Sequence, residues 1–125
     1  MKIIKDIANP RNYTKGSGIA KEYIAVHYVG GVSSAKRNAQ NLKNNQTSAS
    51  AQYFVDEKSI YQTVEDSDIS WGVGLKNSSG YKHPKARNSN TINIEMCCKL
   101  TKAGVWYIEA DTVKNTVKLV ADLMD

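Results

Sequence analysis

Short apolar runs along the chain are separated by polar, glycine-rich breaks, and the period of each run predicts its element. Residues 23–29, Tyr-Ile-Ala-Val-His-Tyr-Val, are rich in β-branched and aromatic side chains and stop at Gly30-Gly31. They predict a strand with a sharp exit. Ser33 or Ser34 can cap a helix running to about Asn44, with Ala35, Ala39 and Leu42 on one side and Lys36, Arg37 and Lys43 off it. Residues 51–56 predict a strand, 57–59 a turn and 60–64 the returning strand of a β-hairpin. A short strand is predicted at 69–71, followed by a long irregular stretch, 72–89. Residues 91–97 alternate, with Ile92, Ile94 and Met96 on one face and Asn93, Glu95 and Cys97 on the other. After the turn Thr101-Lys102-Ala103-Gly104, Asp111 can cap a closing helix that carries Val113, Val117, Val120, Ala121 and Met124 at helical spacing. The first 22 residues, with Asn9-Pro10 and Gly16-Ser17-Gly18, read as a loop-rich arm. Strands separated by helices predict an α/β domain with a mixed sheet flanked by helices.

Length adds a bound: 125 residues make a single domain, an arm over 1–22 and a core over 23–125. The 41% hydrophobic and 23% charged residues are those of a globular protein. No apolar run approaches the roughly 18 residues of a bilayer span, and Lys2, Lys5 and Asp6 interrupt any signal-peptide core. No membrane association is expected, and synthesis in the cytoplasm is. The net charge of +5 favours polyanions, an anionic cell wall among them. The basic residues are scattered, with no stripe interleaved with aromatics, so no nucleic-acid partner is expected. Cys97 and Cys98 are adjacent, hence on opposite faces of a strand and poorly placed to pair, which suits a reducing compartment.

Three residues stand out chemically. His27 sits mid-strand on the face opposite Ile24, Val26 and Tyr28; it is either a histidine satisfied by a carbonyl or a functional imidazole. Glu95 lies between Ile94 and Met96, where an unpaired carboxylate is costly to bury. It faces either a Lys or Arg partner or a cleft, a cation or a metal-bound water. Trp71, at the edge of the long loop, can belong to the core or line a groove. Loops of that length in small domains are more often functional than idle.

Five segments in order, YIAVHYVG (23–30), SASAQYFVD (48–56), IYQTV (60–64), DISWGVG (68–74) and NSNTINIEMC (88–97), resemble the zinc-dependent N-acetylmuramoyl-L-alanine amidases, the family of phage endolysin amidases and peptidoglycan recognition proteins. The resemblance implies a bacterial cell-wall hydrolase that cuts the amide between N-acetylmuramic acid and L-alanine of the stem peptide. It implies zinc as cofactor, His27 as the first zinc ligand, Glu95 as the catalytic carboxylate beside the metal, and Trp71 with Asn90 as substrate-binding residues; Asn88 matches the same motif as Asn90. Such an enzyme is made without a signal and reaches the wall after release. Several positions depart from the family: Gln52 and Gly72 stand where many relatives have histidine, and Asn93 where glycine is common. The second zinc histidine and the third ligand come, in the family, from a segment after the closing helix, so a C-terminally truncated domain with an incomplete zinc site is expected. A substitute set of His27, His83 and Cys97 is the other way to complete it. The alternative function is a peptidoglycan-binding module that holds its ligand without cutting it.

Overall fold

The protein is described by a computed structural model covering residues 2–74 and 80–125; residues 75–79, part of the predicted long loop, lie outside the described residues. The strands are β1 (Ile3–Lys5), β2 (Tyr23–Val32), β3 (Tyr53–Val55), β4 (Ile60–Gln62), β5 (Thr91–Leu100) and β6 (Trp106–Tyr107), and the helices are α1 (Ala35–Asn44) and α2 (Ala110–Met124). Five strands lie in the order β1-β4-β3-β5-β2, and β6 pairs with β5. β2 and β3 flank β5 in parallel, β1 runs parallel to β4, and the β3–β4 hairpin and β5–β6 are antiparallel. This is the expected mixed sheet.

Alternation sorts the side chains onto two faces. On one, Tyr53, Val55, Ile60, Ile92 and Ile94 are closed over by Leu119 of α2, with Ile24, Val120 and Leu123 partly buried beside them. On the other, Phe54 and Cys97 pack against Ala35 and Leu42 of α1, together with Ala8 and Ala51. The α1 helix begins where Ser34 Oγ accepts from Arg37 N, and the buried Asp56 carboxylate accepts from Ala35 N as well as from Lys58 N, Ser59 N and Ser59 Oγ. One side chain therefore fastens the helix start to the hairpin turn. Burial alone would raise the Asp56 carboxyl, but these hydrogen bonds outweigh it and hold the group below its ordinary range.

Four sequence expectations are corrected. The arm is not a loose leader: β1 joins the sheet beside β4, and fully buried Asn12 donates to Leu42 O and Asn45 O while accepting from Thr47 N. A single buried amide produces no periodic pattern, which is why the sequence reads as loop. The strand at 23–29 continues through Gly30-Gly31 to Val32, the register shifting between Tyr28 and Val32, so the glycines form an irregularity within the strand and do not end it. Residues 69–71 contribute only a bridge between Ile69 and Thr14. In α2 the cap position is Glu109, not Asp111, and Thr112, Thr116 and Leu119 face inward while Val113, Val117 and Met124 are exposed. Asn115 Nδ2 donates to Asp56 O, which fixes the roll of the helix, and Thr116 Oγ1 is satisfied by Thr112 O. Leu119, with Val120 and Leu123, packs on the sheet and Asn115 fastens the helix there, while Val113 and Val117 of the valine stripe point outwards.

Candidate active-site groove

Parallel pairing of β2 with β5 places His27 opposite Glu95 and Ala25 opposite Asn93, on the α1 face of the sheet. Glu95 is also in register with Phe54 of β3. A cleft of about 510 Å³ opens over this face, with Glu95 in its lining together with Tyr28, Asn38, Ser48, Ser50 and Trp71. The Glu95 carboxyl is half-buried, and burial raises its pKa, opposed by the charge of His27 beside it. Among the described residues no side chain forms a salt bridge with it, so the Lys or Arg partner considered from sequence is not the reason it is there.

Among the described residues, His27 is not held by a backbone carbonyl. Its Nε2 lies 2.9 Å from Asn93 Oδ1. Behind Asn93 runs a buried chain: Asn93 Nδ2 donates to Ser70 Oγ, Ser70 Oγ donates to Gln52 Oε1, Asn93 N donates to the same Gln52 oxygen, and Gln52 Nε2 donates to Asp68 O. Gln52, Ser70 and Asn93 are all fully buried. Two departures from the family pattern explain each other here. A Cβ placed on Gly72 would lie 2.2 Å from Asn93 Cγ, so the asparagine occupies the space that a side chain at position 72 would need.

Trp71 stands between two clefts, the first described above and a second of about 630 Å³ that Arg87, Asn88 and Thr14 also line. Its indole donates to Thr14 Oγ1, and its backbone N donates to Ser50 Oγ. Of the two sequence alternatives, core or groove, the ring stands at the walls of these clefts. Asn88 Oδ1 accepts from three successive amides, Gly72, Val73 and Gly74, and so shapes the loop that carries Trp71. Asn90 is engaged internally: its Oδ1 accepts from Arg87 N and its Nδ2 donates to Lys85 O. It lines none of the clefts described here, so its place is in the support of the loop.

The described residues do not fit a zinc centre. A catalytic zinc takes three protein ligands, and among the described residues no three His, Cys, Asp or Glu side chains are grouped to hold a metal ion. The substitute set does not form: His83 Nδ1 accepts from Lys85 N and Ala86 N, and Cys97 is buried in the α1 core with its thiol pushed up by burial to about 12. Both cysteines are free. Residues missed in the sequence are Ser70 and, as an active element, Gln52. The available signal was the polar side chain flanked by apolar neighbours in each segment that enters the core.

A mixed sheet thus carries one helix on each face, with the half-buried Glu95 in the groove lining on one side and the tethered His27 opposite it in register. The sequence profile described as N-acetylmuramoyl-L-alanine amidase matches residues 17–125, and the chain belongs to that family. Among curated relatives it is 29% identical to the N-acetylmuramoyl-L-alanine amidase CwlL of Bacillus licheniformis, over 98% of this chain and 36% of that protein. It is 28% identical to CwlA of Bacillus subtilis, over 99% of this chain and 43% of that protein. The chain thus spans less than half the length of these relatives. Among solved structures, the catalytic domain of XlyA superposes with a TM-score of 0.75 at 28% identity, over 99% of this chain and 75% of that one. The solution structure of the PlyG catalytic domain gives 0.73 at 27%, over 99% and 70%.

Proposed function

We propose that this chain provides the substrate groove and the catalytic carboxylate of an endolysin-type N-acetylmuramoyl-L-alanine amidase acting on bacterial peptidoglycan. The observation that carries the reading is the family match over residues 17–125 coinciding with a half-buried Glu95 in the cleft lining. The bond cut joins the lactyl carbonyl of N-acetylmuramic acid to the nitrogen of L-alanine. Glu95 takes a proton from the attacking water and returns it to the departing alanine nitrogen, leaving a lactyl carboxylate and a free amine. Burial tunes it for this, since a carboxyl with a raised pKa is a better base near neutrality than an ordinary one. Trp71 supplies an apolar wall against which the sugar or the stem peptide lies, and Asn88 and Asn90 keep that wall in place.

The resemblance implies zinc, with His27 as a ligand. Because the described residues group no three ligands, no step here passes through a metal. The same observation favours a second reading, a module that binds peptidoglycan without cutting it. Incubation with purified peptidoglycan, followed by labelling of new alanine amino termini, separates the two. Hydrolysis predicts amine release that falls by about 100-fold or more in Glu95→Gln. Retention on the wall with no amine release, lost in Trp71→Ala, identifies the binding module; neither retention nor release overturns both.

A further inference from the structure

We propose that Asn93 is a positioning residue that holds neutral His27 as its Nε2-protonated tautomer and leaves Nδ1 as the nitrogen with the open lone pair. The direction of every hydrogen bond in the buried chain follows from its backbone ends. Asp68 O can only accept, so the Gln52 atom facing it is Nε2; Asn93 N can only donate, so the Gln52 atom facing it is Oε1. Ser70 Oγ, 2.5 Å from that oxygen, must then spend its one proton on it and is left an acceptor, which requires Nδ2 of Asn93 on its other side. Asn93 therefore turns Oδ1 towards His27, and an amide oxygen cannot donate. The proton in the 2.9 Å contact belongs to His27 Nε2.

Full burial of Gln52, Ser70 and Asn93 gives this direction its force, because reversing one link would leave a donor or an acceptor unpaired away from water. Gly72 contributes by absence: a side chain there would collide with the Asn93 amide and push it out of reach of the ring. The two nitrogens lie on different edges of an imidazole, so a ring tied by Nε2 to the Asn93 oxygen keeps Nδ1 out of that contact. Nδ1 is then the nitrogen of neutral His27 whose lone pair is free to accept. What it engages rests on the amidase reading; which nitrogen is open does not.

The test is spectroscopic and needs no activity. At a pH where His27 is neutral, long-range ¹⁵N–¹H correlation of the intact chain is expected to show a protonated Nε2, an unprotonated Nδ1 and an Hε2 signal protected from exchange. Asn93→Ala is expected to speed that exchange about tenfold, as loss of one buried hydrogen bond implies. Ser70→Ala leaves Asn93 in place but removes the acceptor that orients its amide, and is expected to weaken protection should Asn93→Ala fold poorly. A protonated Nδ1 in the unaltered chain overturns the proposal, as does Hε2 exchange unchanged by the loss of Asn93 in a folded variant. Absence of peptidoglycan cleavage with the expected tautomer would count against the amidase reading alone.

Discussion

The two faces of the sheet are built from the same strands by opposite means. On the α2 side, Ile92 and Ile94 of β5 meet Tyr53, Val55, Ile60 and Leu119, and cohesion is apolar. On the α1 side the same strand turns out Asn93 and Glu95, and next to them runs a hydrogen-bonded relay of Gln52, Ser70 and His27. An apolar core tolerates a change in shape gradually, whereas a buried relay fails when one donor loses its acceptor. The stable face thus serves as a platform on which the polar face can afford half-buried chemistry.

The largest effect that separates the faces is expected from Leu119→Ala. Truncating this buried side chain should cost about 2–5 kcal/mol in denaturant unfolding while leaving the His27 ring signals of the surviving folded population unchanged. Next is Gly72→Ala, where the added methyl meets Asn93 at 2.2 Å and should cost about 1–3 kcal/mol. The double change Gly72→Ala, Asn93→Gly removes the collision, so its cost is expected to fall short of the sum of the single changes; strict additivity in a double-mutant cycle would deny that the two positions share one space. A smaller effect belongs to pH. Asp56 has a lowered pKa in the folded chain, so its stabilising contribution is present above the ordinary aspartate range and is lost as pH falls through the folded value. Glu95 has the opposite sign: its raised pKa makes ionisation cost stability as pH climbs from the ordinary value to the folded one. Thermal melts of Asp56→Asn should show a flatter acid limb than the unaltered chain, and those of Glu95→Gln a smaller decline over the range in which Glu95 ionises.

Much of this was legible in the sequence. Strict alternation placed β5 and both of its faces, and the apolar run with one histidine placed β2 and His27. The hairpin followed from two β-rich runs around Glu57-Lys58-Ser59, and the start of α1 from the pair Ser33-Ser34, of which Ser34 is the cap. What periodicity could not convey was polar fastening. Asn12 locks the arm, Asn115 sets the roll of α2, and Asn88 gathers three amides of the Trp71 loop. Each acts through a single amide whose partners are distant in sequence or lie on the backbone, and such links leave no spacing to read. The resemblance to a family named His27, Glu95 and Trp71 as candidates and marked Gln52, Gly72 and Asn93 only as deviations; the relay shows that these last three are parts of one arrangement.

β2 forms one border of the sheet, and this bears on how the molecule behaves in company. Ten residues long, it pairs among the described residues with β5 alone, and Val26 and Tyr28 on it are 46% and 69% exposed. A border of this kind is a template for another strand, and neither proline nor lysine lies along it to discourage one. Mutual repulsion from a net charge of +5 opposes such pairing, and it weakens as the Debye length shrinks from about 10 Å at 0.1 M salt to about 3 Å at 1 M. Solutions of the chain are therefore expected to grow more associated with added salt, as read by light scattering, and a lysine at position 26 should restore separation.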